Sequence, residues 1–245
     1  MKLNNALLIQ PLSAAKMGGW LSPDMVLSRY FGDIAEWVTA PTNDVTLMFT
    51  TGLYQNNATQ DLRKQRLSLL QREAEWRKRA EKLLRQNSEQ TINGFPLMRE
   101  GFQMVSWDSN ITENWNDFAV NIEKLCLAYK KDAAFKSMID TEIRAINREP
   151  TEDNLAFLFE EISVTALWLK EKIPVSKGLR LHDKLDALHI VYPSPLPKFM
   201  AEGLKLLLND KKYVLPLIWF NTADDTQTIP STFRFGRDAP VRHRI

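Results

Sequence analysis

Apolar and polar positions along the chain follow two different periods. Short apolar runs, typical of buried strands, are separated by longer stretches in which apolar residues recur every three or four positions, as in amphipathic helices. The predicted strands are 6–12, 44–50, 101–107, 185–192 and 213–220. The predicted helices are 22–37, 58–86, 112–128, 132–147, 151–172 and a last one that ends at 208. Strands that alternate with helices favour one α/β domain with a mainly parallel sheet flanked by helices.

The predicted sheet also indicates where a ligand binds. In open α/β sheets, ligands bind at the carboxyl ends of the strands. Ser13 directly follows the first predicted strand, so it is expected at this edge. We assign residues 1–222 to the domain, and we expect the polar, basic segment 223–245 to be a flexible tail that either touches RNA or makes no contact.

The helix predicted at 58–86 has a strongly basic face. From Arg63 to Arg85 the sequence has nine Lys or Arg residues and three Glu. At about 100° per residue, a group of its basic residues falls within roughly a sixth of the circumference, apart from a separate apolar stripe. The basic residues that we assign to RNA binding are Arg63, Lys64, Lys78, Lys82 and Arg85. The apolar stripe consists of Leu62, Leu69, Trp76, Ala80 and Leu83. Such a face is either solvated or binds a polyphosphate backbone.

The composition narrows the classes of function further. The formal net charge is only +2, so a case for an anionic partner depends on clustering. The single cysteine, Cys126, excludes an internal disulfide and is expected to be a buried core thiol. The three histidines lack metal-ligand spacing, so we predict no metal. The first ten residues are too short an apolar run for a secretory signal or a membrane span, and the cytoplasm is the expected compartment.

Several short motifs occur in an order that is informative as a set. The first predicted strand leads into Ser13, and Trp20-Leu21-Ser22 precedes a helix. The basic helix follows the second strand, Trp107 lies in the third, and Tyr129-Lys130-Lys131-Asp132 precedes Phe135. With its motifs in this order, the chain resembles the cyclodipeptide synthases over most of its length. Lys130 and Lys131 stand where that family usually has acids. The resemblance implies a Rossmann-like fold similar to the catalytic domain of class I aminoacyl-tRNA synthetases.

The resemblance also implies roles for particular residues. Ser13 takes the place of the family's nucleophile, and Tyr192 that of its catalytic tyrosine. Glu161 takes the place of the glutamate in a Tyr-x-x-x-Glu element, with Phe157 where the family has the tyrosine. Because Glu160 precedes Glu161, the register of this element stays open. The expected catalytic residues are therefore Ser13, Tyr192 and Glu161.

Two positions resemble one subfamily, called XYP. Val191-Tyr192-Pro193 matches its strand-end motif, and Lys16 stands where the other subfamily has an asparagine. By the same resemblance, Phe157, Lys16 and Pro193 are expected to contribute to substrate binding.

The reaction implied by the resemblance uses two aminoacyl-tRNAs and no cofactor. Ser13 takes the first aminoacyl group and releases tRNA, and the amine of the second aminoacyl-tRNA attacks that ester. The resulting dipeptidyl-enzyme closes into a cyclic dipeptide, with Glu161 holding the substrate ammonium and Tyr192 relaying a proton. ATP is not expected, because the ester already stores the activation. We expect a monomer.

Three other interpretations remain open. The chain could be a synthetase-like tRNA-binding protein without chemistry, which is favoured by Phe157 and by Pro11, where the family has glycine. It could be an α/β-hydrolase using Ser13 with His189 or His182, although it lacks the GxSxG motif. It could also be a scaffold protein, which predicts neither tRNA binding nor acylation.

Overall fold

The computed structural model gives the elements in an alternating order of strands and helices. It describes residues 6–12, 42–56, 66–87, 91–92, 95–96, 102–170, 172, 187–192, 196–208, 214, 217–221 and 230–233. The strands are β1 Ala6–Leu12, β2 Thr42–Phe49, β3 Thr91–Ile92, β4 Phe95–Pro96, β5 Phe102–Ser106, β6 Ala187–Tyr192, β7 Leu217–Asn221 and β8 Pro230–Phe233. The helices are α1 Thr51–Asn56, α2 Arg66–Asn87, α3 Trp107–Glu113, α4 Trp115–Lys131, α5 Ala133–Ala145, α6 Glu152–Leu169 and α7 Lys198–Leu208.

The main sheet has the order β5-β2-β1-β6-β7-β8. β5, β2, β1, β6 and β7 run parallel to their neighbours, and only β8 is antiparallel to β7. The chain first builds the sheet outward from β1 to β2 and β5, and then continues from β6 on the other side of β1. The order in which strands are added to the sheet therefore reverses between β1 and β6. This is the kind of switch point at which α/β folds bind ligands. The predicted α/β class with a mainly parallel sheet is confirmed.

Helix α6 forms the centre of the helical layer. Its side chains from Ile162 to Leu169 are all buried, and the helix packs against α4, α7 and α1. A helix that is apolar on every side must be covered on every side, which explains why three helices surround it. Thr151 caps its start by accepting a hydrogen bond from the backbone N–H of Asn154.

Helices α4 and α5 are joined by a polar clamp. The Tyr129 hydroxyl donates to Asp140 Oδ1 at 2.6 Å, and Lys136 Nζ donates to the Tyr129 oxygen at 2.7 Å and to Asp140 Oδ2 at 3.1 Å. Hydrogen bonds from Tyr129 and then Lys136 hold the pKa of Asp140 below its ordinary value. Hydrogen bonds to Tyr129 and Asp140 likewise raise the pKa of Lys136. The clamp ties the two ends of a tight turn together.

The third predicted strand and the helix after it differ from the structure. β5 stops at Ser106, and Trp107 begins α3 instead of continuing the strand to 107. Ser106 caps α3 by accepting a hydrogen bond from the backbone N–H of Ser109 at 3.3 Å. The helix predicted at 112–128 is also divided, because α3 ends at Glu113 and α4 begins at Trp115. The apolar indole made position 107 resemble a strand residue, whereas the serine before it is a helix start.

The other predicted elements in the described segments occur close to their predicted positions. The predictions 132–147 and 151–172 correspond to α5 and α6, and the helix predicted to end at 208 is α7. Of the helix predicted at 58–86, residues from Arg66 onward form α2, and the residues before it lie outside the described ones. The helix predicted at 22–37 lies outside them entirely. β8 lies within the segment 223–245 that the sequence pattern assigned to a flexible tail, and there it pairs with β7.

Candidate active site

The carboxyl ends of the parallel strands form one edge of the sheet, and the candidate site lies there. β1 ends at Leu12, which pairs with Phe49 at the end of β2. On its other side β1 pairs with β6, which ends at Tyr192. β5 ends at Ser106, opposite Phe49. The ends of four parallel strands therefore meet at this edge, next to the switch point between β1 and β6.

Trp107 lies where β5 passes into α3, and its side chain is only 1% exposed. Its ring packs edge-on against that of Trp168 on α6, with the centroids 5.9 Å apart and the planes at 87°. Edge-to-face packing of this kind fixes the orientation of both rings. The indole N–H of Trp107 therefore has a defined direction near the carboxyl edge.

That N–H donates to a buried carboxylate. Trp107 Nε1 lies 2.6 Å from Glu160 Oε1, and Glu160 is 7% exposed. The side-chain amide of Asn56, at the end of α1, donates to the same Glu160 oxygen at 3.3 Å and to Asp108 Oδ1 at 3.2 Å. We call these four residues, Glu160, Trp107, Asn56 and Asp108, the Glu160 cluster. Because Asn56 and Asp108 are exposed, the cluster extends from the solvent to a buried acid.

The beginning of α1 approaches this cluster closely. A Cβ atom built on Gly52 would lie 2.3 Å from Asp108 Oδ1 and 2.7 Å from its Cγ, so any larger residue at this position would displace the Asp108 carboxyl group. The neighbouring Thr51 is 3% exposed, and its hydroxyl has no hydrogen-bond partner in the described part of the chain. A buried polar atom without a partner is costly and calls for an explanation, such as a bound ligand.

Glu161 and Phe157, the residues of the predicted Tyr-x-x-x-Glu element, have other surroundings. Glu161 is partly exposed, and its backbone carbonyl accepts from Thr165 Oγ1 at 2.9 Å. Phe157 is partly buried and packs against the apolar core. Consecutive helix residues point about 100° apart, so Glu160 and Glu161 cannot both point toward Trp107. Glu160 contacts the elements that follow β2 and β5.

Helix α2 carries its basic residues on the side away from the core. Leu69, Trp76 and Ala80 are buried, whereas Lys78, Lys82 and Arg85 are exposed, as the predicted amphipathic pattern requires. Arg85 pairs with Glu81 at 2.8 Å. Arg77 is engaged differently, since it pairs with Glu73 at 2.6 Å and lies 4.0 Å above the ring of Phe49. The exposed side chains of Lys78 and Lys82 can be reached from solvent, and Arg77 fixes the helix to the sheet.

The comparisons with known proteins were informative only at the level of structure. No family model matches the sequence, and no curated protein is significantly similar to it. Among solved structures, the chain is similar to a cyclodipeptide synthase from Fluoribacter dumoffii, with 19% identity over 80% of each chain and a TM-score of 0.50. The chain has the fold of the cyclodipeptide synthases.

A second structure supports the same fold. A cyclodipeptide synthetase from Mycobacterium tuberculosis, described as related to type I tRNA synthetases, is 11% identical, with 79% of this chain and 74% of that chain covered and a TM-score of 0.50. This chain therefore shares its fold with a structure for which that relation is described.

Within this cyclodipeptide synthase fold, the predicted site residues are described to different extents. Tyr192 ends β6, of which the backbone is described. Lys78, Lys82, Arg85, Phe157 and Glu161 lie on α2 and α6 as described above. The remaining predicted site residues lie outside the described ones, and they are Ser13, Lys16, Pro193, Arg63 and Lys64.

The sequence interpretation missed two members of the Glu160 cluster. Asn56 and Asp108 are 52 positions apart, and nothing in the local sequence of either indicates that they meet. Asp108 did carry a weaker signal, because an acid in the first turn after a capping serine is typical of a helix start. Trp107 and Glu160 were singled out by motif order, but not as hydrogen-bond partners.

In the described segments, no group of three or more His, Cys, Asp or Glu residues is arranged to hold a metal ion. Among the helices described, none combines the length and the hydrophobicity that a membrane span needs.

Proposed function

We propose that this protein is a tRNA-dependent cyclodipeptide synthase that joins aminoacyl groups from two charged tRNAs through an ester on Ser13. The observation that carries the proposal is the pairing of β1 with β6. Leu12, the residue before Ser13, ends β1, and Tyr192 ends the neighbouring parallel strand. A nucleophile and a proton-transferring tyrosine at these two positions would flank the switch point of the sheet, where α/β folds bind their ligands.

The first step is acyl transfer to serine. The Ser13 hydroxyl attacks the carbonyl carbon of the first aminoacyl-tRNA, the bond to the ribose oxygen breaks, and the tRNA leaves with the serine proton. An aminoacyl ester is an activated donor, so a modest proton acceptor near the hydroxyl suffices. This supports a reaction without ATP or another cofactor.

In the second step, the choice of attacking amine determines whether the dipeptide is held by Ser13 or by tRNA. If the amine of the second aminoacyl-tRNA attacked the Ser13 ester, the dipeptide would end on tRNA and Ser13 would be released. A dipeptidyl-enzyme forms instead when the amine of the Ser13-bound group attacks the second aminoacyl-tRNA ester, the bond to the ribose oxygen breaks, and the second tRNA leaves with the amine proton. The terminal amine of the dipeptide then attacks the Ser13 ester, which closes the ring and returns the proton to the serine oxygen. This order corrects the sequence-based scheme, in which the second amine was the attacking group.

The acid of α6 has a role in each of these steps. A carboxylate in a partly apolar setting favours a cationic partner, and the α-ammonium of a bound aminoacyl group is such a partner. The motif match assigns this role to Glu161, and Tyr192 would relay the proton during ring closure. The substrate contacts proposed for Phe157, Lys16 and Pro193, and the XYP subfamily, rest on the sequence motifs.

The exposed cations of α2 supply the tRNA contact in this proposal. Lys78, Lys82 and Arg85 are exposed on one side of the helix, and the sequence continues the basic pattern to Arg63 and Lys64. A row of cations neutralises phosphates irrespective of base sequence, which suits an enzyme that accepts more than one tRNA.

In the direct test, the wild type and Ser13→Ala are expressed in a heterologous host, and the culture medium is analysed by mass spectrometry. Cyclic dipeptides are expected with the wild type alone. In parallel, purified wild type incubated with radiolabelled aminoacyl-tRNAs should become labelled on Ser13, and Ser13→Ala should not. If both soluble proteins give neither cyclic dipeptides nor labelled enzyme, the proposal is wrong.

One observation favours a second candidate, a synthetase-like protein that binds tRNA without chemistry. Phe157 lacks the hydroxyl of the tyrosine it replaces, and its ring packs against the core. This candidate predicts tRNA binding by the wild type together with no acyl-enzyme. Phe157→Tyr that gains acylation activity over an inactive wild type would identify it.

A further inference from the structure

We propose that Glu160, not Glu161, is the acid of α6 that serves the reaction, and that Trp107 and Asn56 are positioning residues that hold its carboxylate; this rests on the proposed function. The inference begins with burial. Glu160 is 7% exposed, on a helix whose next buried neighbours are apolar. A carboxylate in such a place is costly unless strong donors compensate it.

The donors come from two separate elements at the carboxyl edge. The Trp107 indole, which follows β5, donates at 2.6 Å, and the Asn56 amide, which ends the helix after β2, donates at 3.3 Å to the same oxygen. Donors from both elements fix the carboxylate against the ends of neighbouring parallel strands. Glu161 is partly exposed.

The charges around this point favour a cation. Asn56 Nδ2 lies within 3.3 Å of one oxygen of Glu160 and one of Asp108, so two carboxyl groups surround a single amide. Asp108 is exposed and Glu160 is buried, so a cation entering from solvent would meet the two acids in turn. Within the described residues, the hydroxyl of buried Thr51, beside Gly52, has no hydrogen-bond partner, as expected of a group that binds a polar ligand. An α-ammonium group fits this chemistry.

Glu160→Gln separates a reactive role from a structural one. Glutamine keeps an oxygen that accepts from Trp107 and Asn56, so a merely structural Glu160 would be replaced without loss. If Glu160 binds the ammonium, Glu160→Gln should lower kcat about 100-fold, with KM for tRNA within about twofold. Glu161→Gln should lose clearly less. Both proteins should keep the wild-type melting temperature to within about 4 °C.

Trp107→Phe tests the positioning role, with Trp168→Phe as its matched control. Both indoles are buried, they pack against each other, and each donates one hydrogen bond, Trp107 to Glu160 and Trp168 to Asn110 at 3.2 Å. Both variants should lose similar stability. Trp107→Phe should also lower kcat about tenfold, because a hydrogen bond to a charged group is removed, whereas Trp168→Phe, which keeps an aromatic ring against Trp107, should lower kcat clearly less. Asn56→Ala is expected to lower kcat less than Trp107→Phe does.

The outcomes distinguish this inference from the proposed function. An active wild type with an inactive Glu161→Gln and a fully active Glu160→Gln would overturn the inference and leave the proposed function intact. Equal kcat losses in Trp107→Phe and Trp168→Phe would overturn the positioning role. A wild type that forms neither acyl-enzyme nor product overturns the proposed function, and the inference with it.

Discussion

The basic residues of α2 and the Glu160 cluster are two charged regions built in opposite ways. Lys78, Lys82 and Arg85 are exposed at the surface, whereas Glu160 is buried with two donors on one oxygen. Exposed charges act over a distance, are screened by salt and require no fixed geometry. A buried charge acts only on a group that reaches it. Substitutions in the first region should therefore change affinity, and substitutions in the second should change turnover.

After the substitutions of Ser13 and Glu160, the largest expected effect comes from reversing charge on α2. The double variant Lys78→Glu and Lys82→Glu should weaken tRNA binding at least about tenfold. A plot of the logarithm of the association constant against the logarithm of the salt concentration should become less steep by about 2 or more, since at least two phosphate contacts are lost. The turnover of bound substrate should stay unchanged. Filter binding at several salt concentrations, with single-turnover kinetics, measures both quantities.

The control for this charge reversal is on another helix. Lys124 and Lys131 are exposed on α4, so Lys124→Glu with Lys131→Glu makes the same change in net charge elsewhere. If this control weakened tRNA binding as much as the α2 variant, net charge and not the basic side of α2 would govern affinity.

A smaller effect is expected from replacing either of two glycines by alanine, one beside the Glu160 cluster and one in the apolar core. At Gly52 a new methyl group would displace the Asp108 carboxyl group, an exposed end that can move, while alanine favours the helix. Gly52→Ala should therefore lower kcat several-fold with little change in melting temperature. At Gly203 on α7, a Cβ would lie 2.8 Å from Ile162 Cδ1, within the core.

Gly203→Ala should consequently show the reverse pattern. Overpacking costs about 1–3 kcal/mol, or about 2–4 °C per kcal/mol in a chain of this size, and kcat per folded molecule should be unchanged. Differential scanning fluorimetry and product assays on both variants test the pair. A Gly52→Ala protein with full turnover would mean that Asp108 has no part in the site.

The sequence was sufficient for the features that depend on local patterns. Thr151 and Asp132 have the side chains that cap helices, and both cap the helices predicted to begin near them. Apolar runs located β1 and β6, and therefore the strand ends that precede Ser13 and include Tyr192. The basic side of α2 followed from helical periodicity alone.

The features that escaped sequence interpretation depend on how elements pack. Whether Glu160 or Glu161 points toward the sheet depends on the rotation of α6, which α4, α7 and α1 fix together. Asn56 meets Glu160 across 104 positions, and no local pattern encodes such a contact. The boundary between the strand and the helix at Trp107 was missed because the indole is apolar, although Ser106 caps a helix there.

The smallest expected effect comes from the clamp between α4 and α5. Its loss should change the stability of the protein slightly, whereas loss of the buried Glu160 carboxylate should change turnover strongly. Hydrogen bonds from Tyr129 and Lys136 lower the pKa of Asp140, so its contribution to stability is present above its ordinary pKa and is lost as pH falls through the folded value. Asp140→Asn should therefore lower the melting temperature at pH 7 by a few degrees, about 2–4 °C, and by less at pH 3. Circular dichroism at the two pH values tests this. Because Asp140 and Lys136 share the clamp, adding Lys136→Gln should cost less in the variant than in the wild type. A loss that is equal at both pH values would assign the effect to packing and not to charge.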